Sequence, residues 1–431
     1  MHVNRTPRIA FVTLGCAKNE VDTDKMQARL AAAGFSIVDD VDDADLVIVN
    51  TCAFLASAVE EGLEVIFDLV GRENAAGREL KVLVAGCMPA RYGDDLAAEL
   101  VEAAGFLAAD DEDNVVEEVT RLLDGDVSLV RADRSLIRHA YPTSAYVKIS
   151  DGCDRFCSYC MIPHIRGRYR SYPLSRIDDE VAELVCNGVR EIVLIGQDTG
   201  IWGHDFEEPS TTATLVRTLA HRYPDTWFRL LYVQPEGIDD ELLDVIATYP
   251  NVCPYLDMPL QHVNAEVLAR MNRSGNAKDI LALLDHVRDR VPDIKIRTTL
   301  MAGFPGETED EFTQTLAFLE RCAFASVHVF PYSVREGTKA AAMPGQLDQQ
   351  TKTARAERAK QAAETLSAAY RKQFVGRTLY ALPEHPTGGL WAAHGRYGFP
   401  VYIEDKAEKN HPVTVKVIGL HKDGVLAKIE N

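Results

Sequence analysis

Three cysteines lie close together near the middle of the chain, at Cys153, Cys157 and Cys160. They follow an apolar run, Ala145–Ile149, that predicts a buried strand. Thiolates are the usual ligands of iron–sulfur clusters, and four of them would fill a cubane. Three cysteines on one short loop therefore leave one iron open, where a small molecule with adjacent amino and carboxylate groups can bind directly.

A zinc site is the alternative interpretation of the same motif. Zinc takes four ligands in structural sites, and His164 lies close enough in sequence to serve as the fourth. The iron–sulfur interpretation needs no fourth residue, and S-adenosylmethionine (SAM) carries the amino and carboxylate groups that an open iron would chelate. We therefore favour a cluster that binds SAM.

A second set of cysteines, Cys16, Cys52 and Cys87, is spread over the N-terminal third. Each follows a predicted strand: Ile9–Leu14, Leu46–Val49 and Lys81–Ala85. Ligand sites of open parallel sheets lie at the carboxyl ends of the strands. A single cysteine at such a place is often just a small buried residue. Three in equivalent positions predict a second iron–sulfur cluster, again with an open iron.

Strands alternate with helices through the first two thirds of the chain. In the N-terminal third the predicted helices are Asp22–Ala33, Ala56–Val70 and Asp94–Ala104. The middle third continues with the predicted strands Ala145–Ile149, Glu191–Ile195, Trp227–Val233, Tyr255–Met258, Ile294–Leu300 and Ala325–Phe330. This alternation predicts an α/β protein with an N-terminal open parallel sheet and a central partial (β/α)6 barrel.

The C-terminal tail changes pattern after a long helical stretch, Lys352–Gln373. Its short predicted strands are separated by Gly, Pro and Asn turns: Thr378–Ala381, Pro400–Ile403, Thr414–Ile418 and Val425–Ile429. Such a pattern is typical of a small antiparallel β-barrel. We expect three domains, at residues 6–120, 138–374 and 375–431.

The central cysteine run resembles the signature of radical SAM enzymes, including the aromatic Tyr159 before the last cysteine. The resemblance implies that Tyr159 lies beside the adenine of SAM. It also suggests SAM contacts from residues near the ends of barrel strands, Gly196, Gln197, Gln261 and Thr298; barrel packing and loop turns are the alternative roles. No side chain is assigned to catalysis.

Two three-cysteine sets in this order resemble the radical SAM methylthiotransferases, whose C-terminal domain is a TRAM barrel. Matching segments are Leu14–Asn19, Val21–Asp24, Arg229–Tyr232, Asp257–His262 and Arg297–Glu307. They resemble the branch that modifies an aspartate β-carbon in small-subunit ribosomal protein twelve. The resemblance implies two 4Fe–4S clusters and SAM. Within the tail, Pro386–Pro400 departs from the family pattern.

The acidic charge of the chain bears on its partner. The net charge is −19, and residues 1–138 hold 27 Asp and Glu against 13 Lys and Arg. An acidic surface attracts basic proteins and repels nucleic-acid phosphate, although it also simply favours solubility. A basic patch from Lys352–Lys372 or from Arg166 and Arg168 would offset the repulsion. We expect a basic ribosomal protein as partner and no direct DNA binding.

Two other functions remain open: the same chemistry on transfer RNA, and an electron-transfer or cluster-carrier protein with no substrate. A carrier needs neither a barrel nor open irons. The enzyme would require an electron donor such as a flavodoxin or ferredoxin. No apolar run approaches the roughly 20 residues that span a bilayer, so we expect a cytoplasmic protein without a membrane partner.

Overall fold

The computed structural model describes residues 6–123 and 142–430, so the expected start of the central domain at residue 138 lies outside the described residues. The chain forms two compact units. The first contains residues 6–123 with 151–154 and 160–169, and the second contains residues 142–150, 155–159 and 170–430. No helix in the described ranges is long and apolar enough to cross a membrane.

The first unit is built on a sheet of five parallel strands in the order β2-β1-β3-β4-β5. Its strands are β1 (Arg8–Thr13), β2 (Ser36–Ile37), β3 (Leu46–Thr51), β4 (Lys81–Gly86) and β5 (Gly105–Ala108). Its helices are α1 (Ala17–Ala32), α2 (Ala56–Leu69), α3 (Cys87–Glu99) and α4 (Val115–Leu122), and α5 (Ile162–Ile165) packs beside α3.

Helices cover both faces of this sheet because successive residues of its central strand are buried on opposite sides. Leu46 and Ile48 of β3 lie in one apolar core with Met26 of α1. Val47 and Val49 lie in a second core with Ile66 of α2. The predicted doubly wound sheet is confirmed, and its strand order reverses between β1 and β3, where such sheets bind ligands.

The second unit contains six parallel strands that follow chain order in two ladders, β6 to β10 and β11 to β13. They are β6 (Ser144–Lys148), β9 (Glu191–Ile195), β10 (Trp227–Leu230), β11 (Tyr255–Asp257), β12 (Lys295–Ala302) and β13 (Ser326–Pro331). Between the ladders, Val233 N donates to Asp257 O at 2.9 Å. The predicted partial barrel is confirmed. Two short strands, β7 (Ser150–Asp151) and β8 (Arg170–Ser171), accompany it.

Helices pack on one side of these strands. They are α6 (Leu174–Cys186), α7 (Thr212–Arg222), α8 (Asp240–Thr248), α9 (Ala265–Arg270), α10 (Ala277–Arg290), α11 (Glu309–Cys322) and α12 (Gln349–Lys372). Alternate strand residues such as Ile192, Leu194 and Ile296 bury against them. The helix α11 begins with a capping box between Thr308 and Glu311, which satisfies backbone donors at the start of the helix.

A closed five-stranded barrel ends the second unit. Its strands are β14 (Thr378–Thr387), β15 (Leu390–Gly395), β16 (Pro400–Ile403), β17 (Val413–His421) and β18 (Gly424–Ile429). The sequence interpretation missed β15, which lies inside the divergent segment Pro386–Pro400 and pairs with β14 across a Gly388–Gly389 turn. The barrel is antiparallel except where β16 pairs with β18 in parallel.

Candidate functional site

The three N-terminal cysteines lie at the carboxyl edge of the five-stranded sheet. Cys16 is the N-cap residue of α1, Cys52 directly follows β3, and Cys87 is the first residue of α3. Both helices begin earlier than the predicted Asp22 and Asp94. Cys16 and Cys87 therefore stand at helix N-termini.

Close packing brings these thiols together. Gly15 has a φ of 106°, and a Cβ placed there would lie 2.7 Å from Cβ of Cys52. Burial raises the pKa of the Cys87 thiol to about 11, and the nearby thiols of Cys52 and Cys16 act in the same direction, while Arg166 opposes them. The sequence prediction that the three cysteines meet at one sheet edge therefore agrees with the geometry.

A buried polar network supports the cysteines. Asn19 Nδ2 donates to Asn50 Oδ1 at 3.2 Å and to Thr51 O at 2.9 Å, and Asn50 Nδ2 donates to Asn19 O at 2.9 Å. The hydroxyl of Thr51 donates to Ala85 O at 2.7 Å and accepts from Met88 N at 3.2 Å. These bonds fix the three segments that carry the cysteines relative to one another.

Arg166 is a buried cation in the first unit and not part of a basic patch, which corrects the sequence interpretation. Its side chain is 3% exposed. The guanidinium donates to Asp22 at 2.9 Å and to Asp151 at 3.3 Å. It also donates to Cys87 Sγ at 3.7 Å. Arg168 is exposed but is paired with Asp154 at 2.8 Å.

Some basic residues of α12 are also buried or ion-paired within the protein. Arg355 is 6% exposed and donates to Glu307 Oε2 at 2.9 Å. Lys352 is buried as well, and Arg358 pairs with Glu309. These residues hold the turn at Gly303, whose N–H donates to Glu307. Buried in this way, Lys352 and Arg355 contribute little to a cationic surface that a phosphate backbone could contact.

Cys153, Cys157 and Cys160 occupy the loop between β7 and α5, and each is partly buried. In the first unit, Cys153 N donates to Gly167 O at 3.3 Å, and Cys160 Sγ accepts from Ile162 N at 3.4 Å. These hydrogen bonds with Gly167 and Ile162 help to fix Cys153 and Cys160 in position.

In the second unit, Cys157 contacts a cation that sequence reasoning missed. Arg273 Nη1 lies 3.9 Å from Cys157 Sγ, and Nη2 donates to Gln234 Oε1 at 2.6 Å and to Pro259 O at 2.8 Å. A guanidinium fixed against a cysteine sulfur suits an anionic cluster. Arg273 lies 116 residues from Cys157 in sequence, and no sequence signal linked the two.

Tyr159 lies in a row of aromatic side chains. It is 6% exposed, and its ring meets Phe304 edge-on at 6.5 Å between centroids. Phe304 in turn meets Tyr332 at 5.5 Å. The carbonyl of Tyr159 accepts from Arg335 at 2.7 Å, which fixes the loop that carries the ring.

Gly196 and Gln197 directly follow β9. A Cβ on Gly196 would lie 2.4 Å from Ser150 Oγ, so a larger residue there would require the Ser150 side chain to move. Asp198, which follows Gln197, has a fully buried side chain and pairs with Arg155 of the cysteine loop. Burial raises the pKa of Asp198, and Arg155 opposes that shift. Sequence reasoning missed this pair, although a charged residue inside the cysteine motif was a usable signal.

Gln261 and Thr298 lie on adjacent parts of the barrel. Gln261 has a φ of 70° and exchanges backbone hydrogen bonds with β12, donating to Thr299 O and accepting from Met301 N. The buried hydroxyl of Thr298 donates to Met258 O at 2.8 Å and accepts from Leu260 N at 3.3 Å. That hydroxyl already serves the strand, so its expected contact with SAM stays a prediction.

Comparisons with known proteins agree with this arrangement. The radical SAM superfamily matches residues 147–319, and a family described as uncharacterized protein family UPF0004 matches residues 8–108. The ribosomal protein uS12 methylthiotransferase RimO of Syntrophus aciditrophicus is 39% identical over 395 residues, covering 89% of this chain and 87% of that protein. This chain belongs to the uS12 methylthiotransferase family.

A second relative and a solved structure extend the comparison of this methylthiotransferase. RimO of Geobacter sulfurreducens is 42% identical over 363 residues, covering 82% of this chain and 80% of that protein. The radical SAM methyltransferase TsrM of Kitasatospora setae, solved with cobalamin and a 4Fe–4S cluster, matches with a TM-score of 0.57 at 15% identity. The match covers 90% of this chain and 81% of the TsrM chain, and it supports the fold.

The methylthiotransferase uses SAM and 4Fe–4S clusters, as its family does, and its cysteines fit them. The six candidate cysteines are thiols, not members of disulfides. Within residues 6–123 and 142–430, no group of three His, Cys, Asp or Glu is arranged for a single metal ion. A cubane binds each thiolate at a different iron, so a set of three cysteines is chemically suited to a cluster with one open iron.

Proposed function

We propose that this methylthiotransferase inserts sulfur and a methyl group at the β-carbon of an aspartate in ribosomal protein uS12. The observation that carries the proposal is the identity of about 40% with curated uS12 methylthiotransferases over some nine tenths of the chain. The chemistry is radical SAM methylthiotransfer, which distinguishes the protein from an electron carrier. Modification of an adenosine in transfer RNA is the competing function.

The proposed ligands of the SAM-binding cluster are Cys153, Cys157 and Cys160. The placement of Arg273 against Cys157 supports this assignment, because a cation offsets the negative charge of a thiolate-bound cluster. The proposed ligands of the second cluster are Cys16, Cys52 and Cys87, supported by their shared position at one sheet edge.

The chain's own residues would bind and orient SAM. We propose Tyr159 for the adenine, because its ring is fixed among aromatic neighbours. Gly196, Gln197 and Gln261 lie just beyond the carboxyl ends of strands, the edge at which parallel barrels bind substrates. Thr298 completes the proposed set. When bound, SAM and the clusters supply the radical, the sulfur and the methyl group.

The proposed partners follow from charge and chemistry. A net charge of −14 in residues 1–138 suits a basic ribosomal protein, and burial of Arg166, Lys352 and Arg355 removes cations that RNA would need. An electron donor such as a flavodoxin or ferredoxin would supply electrons, and the cytoplasm is the proposed location. The proposed domains are residues 6–120, 138–374 and 375–431.

The test compares the two substrates directly. Anaerobically reconstituted enzyme is incubated with reductant, SAM and either small ribosomal subunits or bulk transfer RNA. We expect a mass gain of about 46 Da, the replacement of H by SCH₃, on an aspartate-containing peptide of uS12. The same gain on an adenosine, with none on protein, would overturn the proposal. Heat-denatured enzyme is the control for non-enzymatic modification.

A further inference from the structure

The first unit contains one buried guanidinium with three different acceptors. Arg166, at the end of α5, donates to the carboxylates of Asp22 and Asp151 and to the sulfur of Cys87. Asp22 is fully buried and Asp151 is 8% exposed. Because a buried carboxylate is costly without a cation, the two aspartates fix the guanidinium firmly in place.

Within the first unit, the two carboxylate partners of the guanidinium lie on segments that carry Cys16 and Cys153. Asp22 lies on α1, the helix that begins next to Cys16. Asp151 lies two residues before Cys153. A purely structural ion triad would need only the carboxylates. The contact of Nη2 with Cys87 Sγ, at 3.7 Å, is the one that such a role leaves unexplained.

We propose that Arg166 is a positioning residue for the N-terminal cluster, donating an N–H to the Cys87 sulfur and raising the reduction potential of that cluster. The proposal rests on the proposed function through the assignment of Cys16, Cys52 and Cys87 as ligands. Cluster potentials depend on net charge and on hydrogen bonds to the sulfurs. Reduction adds one negative charge to the cluster, and a fixed cation beside a ligand sulfur stabilises the reduced form more than the oxidised form.

The test uses the full chain with Cys153, Cys157 and Cys160 changed to Ala, so that only the N-terminal cluster is reconstituted. Iron and sulfide are counted first. The midpoint potential of that cluster is then measured by dithionite titration, followed by electron paramagnetic resonance. We expect Arg166→Gln to shift the potential to more negative values and Arg166→Lys to give a smaller shift in the same direction.

The matched control is Arg168→Gln, which removes an exposed arginine two residues away that pairs with Asp154. It should leave the potential unchanged. An Arg166→Gln protein with full iron and sulfide and an unchanged potential would overturn the proposal. If the background protein binds no cluster at all, the ligand assignment fails instead, which is a different result.

A second readout does not require the glutamine variant to fold. In the same background, arginine labelled with ¹⁵N in its guanidinium should give a ¹⁵N hyperfine coupling to the reduced cluster. The coupling should disappear in Arg166→Lys, which keeps the charge. Absence of any coupling that depends on Arg166 would overturn the proposed hydrogen bond.

Discussion

Asn19 and Asn50 exchange hydrogen bonds beneath the three N-terminal cysteines. The side chain of Asn19 donates to Asn50 Oδ1 at 3.2 Å, and the side chain of Asn50 donates to the backbone carbonyl of Asn19 at 2.9 Å. Asn19 lies in the first turn of α1, and Asn50 lies in β3 near Cys52. The pair therefore fixes the segment that follows Cys16 against the strand that leads to Cys52.

Replacing Asn50 by Ala should weaken the N-terminal cluster site. The change leaves the buried Asn19 amide without its side-chain acceptor, at a cost of about 1–3 kcal/mol in stability. We expect iron and sulfide to fall toward the content of one cluster. The control is Asn74→Ala, which removes a buried asparagine that donates to Ala44 O elsewhere in the same unit. Equal iron loss in both variants would contradict a local effect.

Cluster stoichiometry tests the six assigned cysteines. Anaerobically reconstituted protein should hold two 4Fe–4S clusters. Changing Cys153, Cys157 and Cys160 to Ala should remove one cluster, measured as half of the iron and sulfide. Changing Cys16, Cys52 and Cys87 should remove the other. If the second triple variant kept all its iron and sulfide, the N-terminal assignment would be wrong.

SAM cleavage should separate the roles of the two clusters. With Cys16, Cys52 and Cys87 changed to Ala, the enzyme should still form 5′-deoxyadenosine from SAM under strong reductant, because the central cysteines remain. It should form no methylthio product. Chromatography of the nucleoside and mass spectrometry of uS12 measure the two outcomes. Loss of cleavage despite an intact central cluster would assign the radical step to the N-terminal site.

The ion pair of Arg229 and Glu191 should contribute to the stability of the second unit. The pair is buried at 2.6 Å, and Arg229 also donates to the carbonyls of Gly395 and Arg396 in the small barrel. Arg229→Met removes the guanidinium from the buried Glu191 carboxylate and leaves His394, at 3.5 Å, as an ion partner. The free energy of unfolding should therefore fall by up to about 3–5 kcal/mol.

The matched control for that substitution is Arg222→Met. Arg222 is 55% exposed and pairs with Asp178 on the same unit. An exposed pair contributes about 0–1 kcal/mol, so urea unfolding should shift little. A further variant, Arg229→Met with Glu191→Met, should recover part of the loss, since the buried carboxylate is removed together with its guanidinium. Equal effects of Arg229→Met and Arg222→Met would refute the importance of burial.

The strand β15 could not be predicted from the sequence alone. Its neighbour β16, at Pro400–Ile403, agrees with the sequence interpretation, whereas Leu390–Gly395 was missed. The sequence LWAAHG has little of the alternation or β-branched content that predicts a strand. It becomes a strand because β14 and β16 supply hydrogen-bond partners on both sides. The pairing that makes this segment a strand exists only once the barrel has formed.

The sequence by itself determined the parallel sheets and the meeting of Cys16, Cys52 and Cys87, because parallel β-α units bring all strand ends to one edge. Only the tertiary structure decided the surroundings of those thiols. Arg166 reaches Asp22 across 144 residues of chain and becomes a buried partner of Cys87, not a surface charge. Local patterns report which face of a strand or helix is buried, whereas the pairing of buried charges depends on contacts that exist only after the chain has folded.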